Sequence, residues 1–230
     1  MSTADELTPE DRQAVSEVLG NEYAVLMSAL NAAWSASLTR TSIFIYALSA
    51  AGVALGFVAQ GGLDSAPFRP LALVVLPLVL FLGITTYVRL VQVQRESLVY
   101  NIGLNRIRHF FQDSAPASRP YFVLPAHDDD LAMFRSIGTG MRQRPPHHRL
   151  PYYIVQTQGI VGVITAAVAA AVGGLAVSFA GPVLAWVVAA LAFAATLGAL
   201  LVYWLRSLAD IQATVKPKFP TPPDELDAPF

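Results

Sequence analysis

Charged residues vanish from three long stretches of the chain. Residues 41–63 hold none over 23 positions, 70–88 none over 19, and 150–205 none over 56. A helix crosses a bilayer core about 30 Å thick with roughly 20 apolar residues. The first two stretches each fit one span; the third fits two, with a turn at Gly181-Pro182. The spans read as Ser42–Gly61, Leu71–Val88, Ile154–Phe179 and Val183–Trp204. Apolar runs in soluble core helices rarely exceed about 14 residues, so a buried core does not account for these lengths.

Helical periodicity extends beyond the spans. Leu19, Tyr23, Leu26, Leu30 and Ala33 recur at spacings of four and three, which puts them in one stripe on a helix. That helix should begin at Thr8-Pro9-Glu10-Asp11, where Thr8 caps, Pro9 suits the first helical position and Asp11 completes a capping box. It should run unbroken into span one. After span two, Leu90, Val93, Ser97, Tyr100, Leu104, Ile107 and Phe111 form a second stripe. One helix approaches the membrane and the other leaves it, so the stripes are expected to pair antiparallel.

With Arg40 level with Arg89, a residue k positions before Arg40 faces the residue k positions after Arg89. This register brings Arg106 and Arg108 near Glu22. It also sets the acidic part of the first helix (Glu10, Asp11, Glu17, Glu22) against the basic part of the second. An exposed ion pair contributes only about 0–1 kcal/mol, so the charges serve as a clue to register.

The expected fold is all-α: an integral membrane chain of four transmembrane helices in two hairpins, with an antiparallel cytoplasmic helical pair. Residues 1–41 form the N-terminal helix, 42–88 the first hairpin, and 89–153 the cytoplasmic helix and Pro-rich connection. Residues 154–205 form the second hairpin and 206–230 a Pro-rich tail. Pro116, Pro120, Pro125, Pro145, Pro146 and Pro151 forbid a long helix in the connection. A short helix from about Asp128 to Ser136 is expected, with Asp128, Asp129 and Asp130 in its first turn. After Gln212, five prolines predict an extended or disordered tail.

Composition agrees. Hydrophobic residues make up 54% of the chain and charged ones 13%, against about 25% charged in soluble domains. The acidic start and the late first span are unlike a signal peptide. There is no cysteine, which excludes disulfides and thiolate metal sites. A net charge of −1 gives no electrostatic footprint for nucleic acid, so none is expected as a partner. Of the 15 basic residues, 14 fall in the N-terminal segment, the central connection and the tail. The exception, Arg69, lies in a short loop. The positive-inside rule puts the basic side and both termini in the cytoplasm of a bacterial inner membrane. Tyr87, Tyr152, Tyr153, Tyr203 and Trp204 are expected to mark the inner interface.

Candidate chemistry is sparse. His127 with Asp128–Asp130 suggests either a metal site or helix capping, and the crowded spacing favours capping. His147-His148 beside Arg149 reads as an interfacial flank, or as an anion or lipid-headgroup contact. No catalytic triad, phosphate-binding glycine loop or HExxH is present, so no enzyme activity and no cofactor are expected. No Asp, Glu, Lys, Arg or His lies in the four spans, which argues against an ion-coupled transporter. A passive pore needs only polar groups such as Ser49, Thr85, Thr86, Gln156, Thr157, Gln158, Thr165 and Thr196. Small residues recur every fourth position at Gly162, Ala166, Ala170 and Gly174, and again at Ala190, Ala194 and Gly198. Such ridges let helices approach closely, either within the hairpin or between copies in a homo-oligomer. Pro77 is a candidate kink in span two.

At Asn105-Arg106-Ile107-Arg108-His109-Phe110-Phe111, following Tyr87-Val88-Arg89-Leu90, the chain resembles uncharacterised bacterial four-span proteins, mostly actinobacterial. The likeness also takes in Glu22-Tyr23 and covers about residues 20–205. It implies the two-hairpin layout and no particular activity. More loosely, the layout is similar to SLATT-type membrane effectors, which are thought to form pores and are fused to nucleotide-sensing domains; this sequence shows no such domain. The function expected is a non-enzymatic membrane component that oligomerises or scaffolds, with the bilayer, further copies of itself and a cytoplasmic protein as partners. The alternative is a passive pore or channel-like effector.

Overall fold

The computed structural model describes residues 8–62, 67–129, 132, 156–214 and 216–223. Every long element among them is a helix: α1 (Pro9–Ala59), α2 (Phe68–Ser114), α3 (Thr157–Ala176) and α4 (Pro182–Thr214). Two short 3-10 segments, Pro116–Tyr121 and Ser178–Ala180, connect them. All four helices contain a stretch long and apolar enough to cross a membrane.

The chain divides into two compact units. The polar unit takes Met1–Trp34, Gln94–Arg144 and Leu208–Phe230; the apolar unit takes Ser35–Val93 and Pro145–Ser207.

In the polar unit, α1 begins with the expected Thr8 cap, paired with Asp11 through its hydroxyl. The Asp11 N–H donates to Thr8 Oγ1 at 3.2 Å, and the Thr8 hydroxyl donates to Asp11 Oδ2 at 2.6 Å. The register of α1 on α2 also follows expectation. Leu26 and Gly103 lie 14 residues from Arg40 and Arg89 respectively, and a Cβ on Gly103 would come within 3.0 Å of Leu26 Cδ1. Farther along, Arg108 stands 5.8 Å over the Tyr23 ring, so the two helices run antiparallel. The α1 stripe is partly buried, and residues beside it such as Val18 and Val25 are exposed.

On α2 the buried arc is wider than the expected stripe. Leu104 and Ile107 are buried, but so are Leu98, Ile102 and Asn105. Leu98 and Ile102 pack with Leu208, on a part of α4 that continues past Trp204 to Thr214. A stripe drawn for one partner misses the second face.

In the apolar unit three helices meet at Phe44, Gly83 and Thr165. Phe44 and Thr165 are almost wholly buried. A Cβ on Gly83 would lie 2.5 Å from Thr165 Oγ1 and 3.0 Å from Phe44 Cε2, so only glycine permits this approach. Thr165 satisfies its hydroxyl by donating to Val161 O at 2.7 Å. Tyr87 was expected at an aqueous interface, yet it is completely buried and donates to Leu200 O on α4 at 2.9 Å. A helical carbonyl has a second lone pair for this bond, and a buried phenol needs the partner. The α3–α4 turn falls where the sequence put it, with Gly181 at φ +119° and Pro182 opening α4. α2 continues through Pro77.

Candidate functional site

The densest polar cluster is built in the polar unit around the Asn-Arg-Ile-Arg stretch of α2. Asn105 has no exposed surface, and its Nδ2 donates to His127 O at 2.8 Å. Its Oδ1 accepts from Arg108 Nη1. Arg108 is buried and reaches Tyr23 Oη at 3.5 Å with Nη2. Arg106 points elsewhere: Nε donates to Asp128 Oδ2 at 2.7 Å and Nη2 to Lys216 O at 3.2 Å. Spacing of the motif explains the split, because Arg106 and Arg108 lie about 200° apart around the helix.

Asp128 is the centre of the cluster, with a fully buried side chain. Besides Arg106 it accepts from the main-chain N–H of Lys218 (2.8 and 2.9 Å) and of Phe219 (2.7 Å). Its own N–H donates to Phe219 O at 3.1 Å. Asp129 accepts from the Thr221 N–H at 2.8 Å and the Thr221 hydroxyl at 2.9 Å. It also takes the Ala132 N–H at 2.9 Å, as a capping residue would. The Phe219 ring stacks on His109 at 4.1 Å. The tail segment 216–223 bends at Lys218 and Phe219 and is fastened at both backbone and side-chain level.

Burial alone pushes the Asp128 carboxyl up, but the Lys218 and Phe219 N–H groups and Arg106 outweigh it and hold it below the usual carboxylate value. Burial also lowers His109, against the opposing pull of Asp113, whose Oδ2 lies 3.6 Å from Nε2. An acid held ionised by three donors, one of them shared between its two oxygens, fixes the chain in place; proton transfer near neutral pH needs a carboxyl shifted the other way.

The residues singled out in the sequence fare unevenly. Arg106 and Arg108 were expected beside Glu22. Arg108 instead meets Tyr23, one residue on, while Arg106 is taken by Asp128 and Glu22 is exposed. A buried carboxylate offers a stronger partner than a solvated one. Asp129 makes the capping bond expected of the Asp128–Asp130 turn, and Asp128 holds the tail. Asp130 and most of the expected 128–136 helix lie outside the described residues, as do His147, His148, Tyr152 and Tyr153. Among the described residues no group of three His, Cys, Asp or Glu is placed to hold a metal ion.

The two small-residue ridges part company. Gly162 and Ala166 are buried, Ala170 is half-buried, and a Cβ on Gly174 would lie 3.2 Å from that of Ala189. Bulk at Gly162 or Ala166 would therefore disturb the fold itself. Ala190, Ala194 and Gly198 are exposed, and a Cβ on Gly198 would meet nothing within 4 Å. The α4 face that meets Gly173 and Gly174 carries Ala185, Val188, Ala189 and Ala192, which turns the Ala190 row outward by about 100°. Among the polar residues of the spans, Thr86, Gln158 and Thr165 are buried, and Gln158 Nε2 donates to Gln156 Oε1.

Sequence reasoning missed Asn105, Lys218, Phe219 and Thr221 as members of the cluster. The available signal was the adjacency of Asp128 and Asp129, a pair of acceptors, and a tail in which prolines alternate with free N–H groups. Compared with known proteins, the chain matches no family, no curated protein and no solved structure.

Proposed function

We propose that this chain is a non-enzymatic component of a bacterial inner membrane that assembles with further copies of itself and offers its cytoplasmic helical unit to protein partners. Four apolar helices, in two hairpins, hold it in the bilayer with both termini in the cytoplasm. The observation that carries the reading is the outward ridge of Ala190, Ala194 and Gly198. In lipid no hydrophobic force draws helices together, and exposed small residues give the close backbone contact that does. The matching ridge of α3 is already covered, so α4 is the free seam. In the cytoplasmic unit the carboxylates of Asp128 and Asp129 hold main-chain N–H groups, which suits a scaffold.

The chain has no cysteine, so single cysteines introduced at Ala190, Ala194 or Gly198 can be oxidised in native membranes without background. Each is expected to give a disulfide-linked dimer, whereas Ala189→Cys, which faces Gly174, is expected to give none. Adding Ala194→Leu to Gly198→Cys should abolish the dimer. Monomer at all three ridge positions would remove the proposal.

A further inference from the structure

Arg40 and Arg89 are the charged residues that bound the charge-free stretches 41–63 and 70–88 on their basic side. Both line one open recess of about 490 Å³ in the apolar unit, together with Ile84, Thr85, Val88 and Gln92. Arg89 Nη1 donates to Gln92 Oε1 at 3.4 Å. That contact uses the carbonyl oxygen of Gln92, whose amide also carries an NH₂ donor. Thr85 directs its hydroxyl proton inward, to Phe81 O at 3.0 Å and Leu82 O at 3.1 Å. None of the six lining residues is acidic. The recess therefore combines cationic and amide donors from Arg40, Arg89 and Gln92 with apolar surface from Ile84 and Val88.

We infer that the Arg40–Arg89 recess binds the phosphodiester of an anionic lipid, with the first carbons of its acyl chains against Ile84 and Val88. Guanidinium groups match phosphate oxygens in planar, paired hydrogen bonds. Basic recesses at the cytoplasmic ends of transmembrane helices are suited to such headgroups. The depth agrees as well: 23 and 19 uncharged residues end at these two arginines, so a chain that fills the hydrocarbon core brings both side chains to phosphate level. A free phosphate shares the headgroup chemistry, but the apolar wall favours the lipid, because a soluble ion gains nothing from it. The inference rests on the proposed membrane orientation and is independent of self-assembly through α4.

The full-length protein in neutral detergent can be mixed with equal amounts of phosphatidylglycerol and phosphatidylcholine and the retained lipid measured by native mass spectrometry. Preferential retention of phosphatidylglycerol is expected. Arg40→Gln or Arg89→Gln should each weaken it by about fivefold, and the pair by about 25-fold if the two act independently. Arg40→Lys and Arg89→Lys should retain most of it, and that rescue separates charge loss from misfolding. Arg206→Gln, outside the recess, should leave it unchanged. Equal loss in Arg206→Gln, or no loss at Arg40 and Arg89, would overturn the site. Displacement of the lipid by millimolar inorganic phosphate would overturn the lipid assignment. Neither outcome depends on whether cysteines on α4 crosslink, so the two proposals can fail separately.

Discussion

Asp128 concentrates more fixed geometry than any other side chain described. Its two oxygens take the N–H groups of Lys218 and Phe219 and the Arg106 guanidinium, all while buried. Removing the charge but keeping the shape, as in Asp128→Asn, leaves an amide NH₂ facing donors. A hydrogen bond to a charged group contributes about 1.5–3 kcal/mol, so the released state of the tail should rise by roughly tenfold or more. Trypsin reads that state directly, because it cuts after Lys218 but not between Lys216 and Pro217. Cleavage of a transiently open segment follows the open population when reclosing is fast.

The pH dependence of the same cleavage has a definite sign. His109 carries a lowered pKa under the stacked Phe219, with Asp113, His127, Asp128 and Arg119 around it. The docked tail therefore disfavours the protonated ring. Docking is at full strength above the ordinary histidine value of 6.5, from which burial lowers the ring, and weakens as pH falls below it. Asp128, depressed from 3.8, stays ionised through that window and loses its contribution only in stronger acid. Cleavage at Lys218 should accelerate between pH 7 and 5.5 relative to an unstructured peptide control, and His109→Phe, which keeps the stack, should remove the acceleration. A flat profile in the unsubstituted protein would contradict this.

Between elements, sequence periodicity carries information about who faces whom but little about how tightly. The antiparallel register of α1 on α2 was legible, and Leu26 meets Gly103 as the count from Arg40 and Arg89 requires. The partner of Arg106 was not, since Asp128 lies 22 residues away across a Pro-rich connection with no period to follow. Nor was the function of Gly83, which looks like any other small residue in an apolar helix. Its lack of a side chain lets α2 approach Thr165 and Phe44. Gly83→Ala should destabilise the apolar unit by about 1–3 kcal/mol, the usual range for overpacking. Thr165→Ala removes both the Oγ1 and Cγ2 atoms that the new methyl would strike, so the double variant should melt above Gly83→Ala alone in detergent. Gly52→Ala, with open space around it, should not lower the melting temperature. If the double variant fell by the sum of the singles, close packing at this point would not be what glycine provides.

At the scale of the whole chain the legible quantity is hydropathy averaged over about 20 residues, because bilayer thickness imposes that length on any spanning helix. All four helices carry such a window, although two are more than twice as long: α1 has 51 residues and α2 has 47, against 20 in α3. The average therefore locates the apolar part of each helix and says nothing of where the helix ends. Orientation depends on a different sum, the placement of arginine and lysine. With 14 of 15 in the N-terminal segment, the central connection and the tail, the proposed orientation carries Arg69 alone across the membrane, whereas its inverse would carry the other 14. A cysteine-free chain makes this testable with a membrane-impermeant maleimide on intact spheroplasts. Gln60→Cys, exposed at the end of α1, should react from outside; Tyr121→Cys and Lys216→Cys, both exposed, should react only after the membrane is opened. The two inner positions also separate the possible errors. Labelling of either Tyr121→Cys or Lys216→Cys without the other would mean that the chain crosses an odd number of times between them, where two crossings are proposed. Labelling of both with Gln60→Cys silent would reverse the whole orientation and remove the inner-leaflet setting of Arg40 and Arg89.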